Sequence, residues 1–181
     1  GNRSSDGIDK GALLVWTSST ATVENCVLYD NAPRSIHVYE DAFCTVTNSI
    51  VEGGYIGAGN RDVAPRFRLV DDPPYQLSWD SPAIDAGDAS APATDVLGAT
   101  RPMNDGPDIG AYEFGTDTDG GGLPDDYEND NGLVASDPAD DAEDSDNDHL
   151  DNREEFRRGT NPQDENDPPS KFYVSPSGDD L

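Results

Sequence analysis

Two acidic stretches carry the chemistry that this chain can do, and their first residues lie 27 positions apart. One runs Asp117-Thr118-Asp119-Gly120-Gly121-Gly122-Leu123-Pro124-Asp125-Asp126-Tyr127-Glu128, the other Asp144-Ser145-Asp146-Asn147-Asp148-His149-Leu150-Asp151-Asn152-Arg153-Glu154-Glu155. Both place oxygen-bearing side chains at positions 1, 3, 9 and 12 of a twelve-residue loop, and the second adds Asp148 at position 5. A hard divalent cation the size of Ca2+ takes six to eight oxygens at about 2.3–2.6 Å and tolerates irregular geometry. Alternate carboxylates on a tightly curled loop converge on such an ion. Position 7 (Leu123, Leu150) offers its backbone carbonyl, and the position-12 glutamate swings in from the first turn of a following helix. The expected ligands are therefore Asp117, Asp119, Gly121, Leu123, Asp125 and Glu128 in one loop. In the other they are Asp144, Asp146, Asp148, Leu150, Asn152 and Glu155, giving about two Ca2+ ions in all. Without a cation these carboxylates repel one another, so order in the loops is tied to filling.

Two positions depart from this pattern. Gly121 stands where the first loop needs a carboxylate, so a water or a carboxylate from elsewhere must complete that shell. His149 stands where the second loop needs a residue with positive φ, a conformation that His adopts at some cost. The linker Asp137-Pro138-Ala139-Asp140-Asp141 and the stretch from Asn161 to Asp164 are candidates for extra ligands, and the sequence does not choose between them. Short helices are expected near Asp125–Asn131 and Asn152–Arg158, the second closed by Gly159 as C-cap with Arg157 and Arg158 at its negative end. Tyr127, Leu133, Leu150 and Phe156 supply only a minimal core, so this part of the chain is expected to depend on metal for its fold.

The composition is consistent with a cation-loaded protein. The chain has 181 residues, 38 acidic against 11 basic, and a net charge of −27. That balance argues against nucleic acid as a partner and disfavours anionic membrane surfaces, since both need Lys and Arg. No run of apolar residues is long enough to cross a bilayer, so membrane insertion is not expected, and no signal peptide is recognisable. Calcium is abundant outside cells, where weak sites fill, so the expected location is extracellular, secreted or on the cell surface.

The first part of the chain repeats at 23 residues. Leu13-Leu14-Val15-Trp16 corresponds to Ile36-His37-Val38-Tyr39, and Ala21 to Leu28 corresponds to Cys44 to Val51 at the same offset. Each period holds two short β-rich runs separated by Ser, Asp, Asn and Gly. Such a period fits a parallel β-solenoid in which equivalent residues stack at strand spacing. Val15 then lies beside Val38, Val23 beside Val46, and Asn25 stacks on Asn48 as an amide ladder. Cys26 falls five residues beyond the position facing Cys44, about 16 Å of extended strand, further than a disulfide spans. Both cysteines are expected to be buried free thiols.

Residues 13 to 114 resemble the last coils and the closing segment of secreted bacterial right-handed parallel β-helix proteins, the pectate-lyase-like group. The resemblance lies in Thr22-Val23-Glu24-Asn25-Cys26-Val27-Leu28-Tyr29-Asp30-Asn31, Ser49 to Tyr55, Gly59 to Phe67, Ser81-Pro82-Ala83-Ile84-Asp85-Ala86-Gly87-Asp88 and Asp108-Ile109-Gly110-Ala111-Tyr112-Glu113. Residues 117 to 167 resemble the calcium-binding repeats of thrombospondin type 3 and other EF-hand-like extracellular modules. Lys171 to Asp180 resembles the opening strand of another such β-helix. The resemblances imply a mainly β fold with coils over 1–70, a closing segment over 71–115, a calcium-binding loop–helix module over 116–168 and a strand within 169–181.

In physical terms the closing segment hides the open end of the solenoid, with Trp79, Ile84, Ile109 and Tyr112 covering the last coil. Asp85, Asp88 and Asp108 are read as turn caps that accept backbone N–H groups rather than as catalytic carboxylates. Two functional classes follow. One is an extracellular structural or adhesive scaffold stiffened by calcium. Its partners would be cell-surface glycan or copies of itself, joined head to tail into a filament by Phe172–Val174 docking on a neighbouring β-helix. The other is the C-terminal part of a secreted polysaccharide lyase whose active site lies upstream. Lys10, Arg34, Arg61, Arg66 and Arg68 are available as bases, but no constellation of base and acids repeats on one face, and His37 and His149 stand alone. The expectation is a scaffold and not an enzyme.

Overall fold

The computed structural model describes residues 12–31, 34–70 and 72–167, so the strand expected from the sequence at Phe172–Val174 and the head of the chain lie outside the described residues. Two compact units emerge. One comprises residues up to Phe67 with Tyr75–Thr116, the other Arg68–Pro74 with the chain from Asp117.

In the first unit, the alternating β-branched runs form β1 (Leu13–Val15), β2 (Thr20–Glu24) and β3 (Val27–Leu28), followed by β4 (Ile36–Val38), β5 (Phe43–Thr47) and β6 (Ile50–Val51). They pair as three parallel ladders, β1 with β4, β2 with β5 and β3 with β6. Leu13 faces Ile36, Val23 faces Val46 and Val27 faces Ile50, so all three ladders keep the 23-residue offset of the sequence repeat. The corners repeat as well. Ser18 and Asp41 (φ 60° and 62°), Asn25 and Asn48 (51° and 46°), and Asp30 and Gly53 (55° and 82°) all take left-handed backbone. Asn, Asp and Gly reach that region at least cost, which ends each strand after two to five residues. An isolated parallel bridge from Ile50 to Arg61 starts a third layer at a shorter offset.

The core under the ladders is Ile36, Val46 and Val51, packed by Leu13, Val23, Leu28, Val38, Cys44 and Tyr55. Burying such side chains contributes about 1.5–3 kcal/mol each. Cys26 and Cys44 are free, but half-buried rather than buried. The amide ladder expected at Asn25 and Asn48 takes another form. Both Nδ2 groups donate to the carboxylate of Asp88, at 3.1 and 2.5 Å, and Asn25 Oδ1 accepts the Asp88 N–H. A charged acceptor serves two amide donors better than the amides serve each other.

The closing segment is built from turns, with isolated bridges Phe67–Leu77 and Thr94–Thr100. Ile109 is fully buried there with Ala83, Leu77 and Phe114, while Trp79, Ile84 and Tyr112 are half-buried. Asp108 Oδ1 accepts from Asp85 N and Oδ2 from Phe114 N, and Asp85 Oδ1 accepts from Gly106 N. Arg101 donates to the carbonyls of Asp108 and Gly110 and faces Glu113 at 3.4 Å, both side chains almost wholly buried.

The second unit contains α1 (Asp125–Asn131), a 3-10 turn (Asp140–Ala142) and α2 (Asn152–Arg158). Gly132 and Gly159 end the two helices in left-handed conformation, φ 74° in each. The Asp151 side chain caps α2 by accepting from Glu154 N. Tyr127 meets Phe156 edge to face at 4.9 Å, and Leu123, Leu133 and Phe156 are buried. Leu150, expected in this core, is half-buried. Residues 68–74, placed by the sequence reading in the coils and closing segment, belong here for a physical reason. The Arg68 guanidinium lies 4.1 Å over the Phe156 ring and donates to its carbonyl, and Leu69 N donates to Arg157 O. No helix among the described residues is long and apolar enough to cross a membrane.

Candidate metal centre

The two acidic loops share their turn bonds at positions 1 and 3. At position 1, Asp117 accepts the N–H groups of Gly120 (2.7 Å) and Gly122 (3.0 Å), while Asp144 accepts those of Asn147 (2.7 Å) and His149 (3.0 Å). At position 3, Asp119 accepts Gly121 N at 2.8 Å and Asp146 accepts Asp148 N at 3.1 Å. The backbone repeats too. Positions 4 and 6 have positive φ in both loops, 76° and 119° at Gly120 and Gly122, 69° and 81° at Asn147 and His149. His149 thus takes up the conformation its position demands, held by its N–H bond to Asp144.

These bonds leave specific oxygens free. Asp119 Oδ2 and Asp146 Oδ2 are buried without a hydrogen-bond partner. So are both oxygens of Glu128 and Oε2 of Glu155, the two position-12 glutamates, whose residues are 0% and 1% exposed. A buried carboxylate oxygen with no donor is costly, and here the cost falls at matching positions. Burial, followed by the charges of Asp141, Asp119, Asp140 and Asp125, pushes Glu128 up to about 7. Burial with Asp146 and Asp148 pushes Glu155 up to about 7, against a weak bond from Thr160. Asp117 is raised by burial as well, although two backbone N–H groups pull it down. The donor set is all oxygen, hard and anionic, which suits Ca2+ rather than a soft transition metal.

No family model matches this chain, and neither does any curated protein or solved structure.

The expected ligands are not all brought together. Asp144, Asp146 and Asp148 converge, with one oxygen of each within 4.8 Å of the others. In the first loop the converging group is Glu128, Asp140 and Asp141, again within 4.8 Å. Asp140 and Asp141 come from the linker, where the sequence offered them only as candidates. Asp125 has another role, since its two oxygens accept from Thr118 N (2.7 Å) and Thr118 Oγ1 (2.6 Å), which ties the loop's start to α1. Asn152 is fully buried; its Nδ2 donates to Asp140 O and Ser145 Oγ while Oδ1 has no partner. Gly121 offers no side chain, and its carbonyl accepts from the Arg153 guanidinium. Leu123 and Leu150 hold position 7, where Leu123 buries its side chain under the loop. Clustering across the linker has no sequence signal beyond acidity, because it depends on how the 3-10 turn folds back.

Proposed function

We propose that this chain is an extracellular calcium-binding module with a structural or adhesive role, the end of a right-handed parallel β-helix followed by a loop–helix unit that calcium stabilises. One observation carries the reading: in both loops the buried position-12 glutamate and the half-buried position-3 aspartate have oxygens withdrawn from water that no protein donor satisfies. A hard cation in each loop supplies the missing partner and neutralises the crowding. The solenoid part of the proposal is supported by the three parallel ladders at one offset and the matching left-handed corners. A scaffold is favoured because the sequence repeats no constellation of base and acids on one face of the coils, and Asp85, Asp88 and Asp108 serve as acceptors of protein N–H groups; the alternative is the end of a lyase whose active site lies upstream. Cell-surface glycan, or a second copy taking up the strand at Phe172–Val174, is the partner this reading assigns.

The test is calorimetric titration with Ca2+ alongside melting in excess chelator. Two ions per chain, and loss of the second unit's unfolding transition in chelator while the first unit's persists, are the expected results. Absence of saturable binding would make the acidic unit a solvated tail and remove the calcium-stiffened role.

A further inference from the structure

We propose that Asp141, carried by the 3-10 turn between the loops, is the position-5 ligand of the first loop, delivered from 20 residues downstream to the place where Gly121 has no side chain. This rests on the calcium reading above and names a ligand that the loop's own twelve residues do not contain.

Four observations point to it. A Cβ built on Gly121 would run into Asp141 Oδ2 and would lie 3.0 Å from Asp119 Oδ1, so the Asp141 carboxylate occupies the room of a position-5 side chain. The hydrogen bonds agree. In the second loop the true position-5 residue, Asp148, accepts the N–H of position 7, Leu150, at 2.7 Å. In the first loop it is Asp141 Oδ2 that accepts the N–H of position 7, Leu123, at 3.0 Å. Asp141 is completely buried, and its other oxygen, Oδ1, has no hydrogen-bond partner, as is true of both oxygens of Glu128 within the same 4.8 Å group. Finally, the Arg153 guanidinium engages the Gly121 carbonyl, so position 5 gives its backbone oxygen to α2. Asp140 shares the group and also has a buried Oδ1 without a partner, but its Oδ2 accepts from Val134 N at 2.8 Å, outside the loop, and it does not occupy the side-chain room at Gly121.

The geometry also explains why glycine occupies position 121. Any larger residue would evict the carboxylate that replaces its side chain. A ligand from the linker closes a longer stretch of chain around the ion than a twelve-residue loop does, so filling the first loop fixes the 3-10 turn as well.

The experiment is Ca2+ calorimetry on the full chain in three forms: wild type, Asp141→Asn, and the exchange Gly121→Asp with Asp141→Ala. Asparagine keeps an acceptor for Leu123 N but removes the charge. Asp141→Asn is expected to weaken one of the two sites at least about tenfold and leave the other in place. The exchange variant, with the carboxylate returned to position 5, is expected to recover most of that loss. Two sites of unchanged affinity in Asp141→Asn would overturn the assignment, and so would an exchange variant no better than Asp141→Asn. A wild type that binds no calcium is a separate outcome, which sinks the calcium reading itself.

Discussion

Calcium uptake by this chain should expel protons, in a number that follows from the two position-12 glutamates. In the calcium-free fold, burial and neighbouring carboxylates raise Glu128 and Glu155 to about 7. A bound cation requires both to be ionised. At pH 6.5 about three-quarters of each is protonated, so filling both loops releases about 1.5 protons, whereas at pH 8 the number falls to about 0.2. Asp117 and Asp141 are raised in the same direction and can only add to the count. Affinity follows the same groups: it is weakest at acid pH, rises about tenfold per site between pH 6 and pH 8, and levels off above the raised value. Without calcium the dependence runs the other way. Each glutamate favours the fold fully only below its ordinary pKa, and the calcium-free unit loses stability, at most on the order of 3 kcal/mol per glutamate, as pH rises to about 7. The assay is calorimetry at pH 6.5 in two buffers of different ionisation enthalpy, where the difference in observed heat counts protons. Heats that do not depend on buffer would refute the reasoning, because Glu128 and Glu155 would then ionise normally before calcium arrives and the buried cavities would not be preformed.

Three further outcomes test other parts of the structure. Glu113→Ala leaves the buried Arg101 guanidinium without its carboxylate and frees the N–H groups of Met103 and Asp108. It should cost about 3–5 kcal/mol in the first unit's urea transition, and a loss under about 1 kcal/mol would mean that the Asp108 and Gly110 carbonyls satisfy Arg101 alone. Gly57→Ala drives a methyl into the Val46 carbonyl and should lower the same transition by about 2 kcal/mol or more, read as a thermal shift; an unchanged midpoint would show that the 57–60 turn can yield. Asn152→Ala removes the bonds from the second loop to Asp140 O and Ser145 Oγ. Calorimetry should find weaker calcium binding at both sites, whereas a change confined to one would show that the 3-10 turn does not couple them.

How much of this was legible in the sequence depends on how local the determinant is. The 23-residue offset could be read directly, since parallel stacking places like residues in register and Val23 faces Val46 accordingly. The end of the second helix was legible for the same kind of reason, since Gly159 acts on its own neighbours, whereas the Asp151 cap at its start emerged only in the structure. The positive φ of His149 could be anticipated because the loop pattern forces it. Long-range exchange of partners could not. Asp88 draws Asn25 and Asn48 onto its carboxylate from across a sequence separation of 63 and 40 residues, and no repeat announces that. Arg68 reads as a base on the solenoid until its cation–π contact with Phe156 assigns it to the acidic unit. Asp125 fits position 9, yet Thr118, a residue with no place in the ligand pattern, takes both of its oxygens.

The two units use the same residue type in opposite ways, and that contrast is the physical basis for attaching a cation to one of them. In the first unit Asp95, Asp108 and Glu113 give both oxygens to backbone N–H groups, while Asp80 pairs with Arg66 and keeps one buried oxygen without a partner. Asp95 accepts from Leu97, Ala99 and Glu113, and Asp108 from Asp85 and Phe114, so each of their oxygens has an N–H donor and organises a turn, although burial outweighs those bonds at Asp108 and pushes it up to about 7. In the second unit the same kind of bond uses one oxygen of Asp119 and Asp146 and leaves the other buried and unmatched, while Glu128 has no donor at all. Acidity alone produces neither arrangement, because exposed carboxylates are satisfied by water. What the fold does in the second unit is withdraw selected oxygens from water while supplying no donor, at equivalent positions of two loops that share one backbone path. Such an arrangement is unfavourable on its own, and it becomes favourable when a hard cation supplies the charge that the protein withholds.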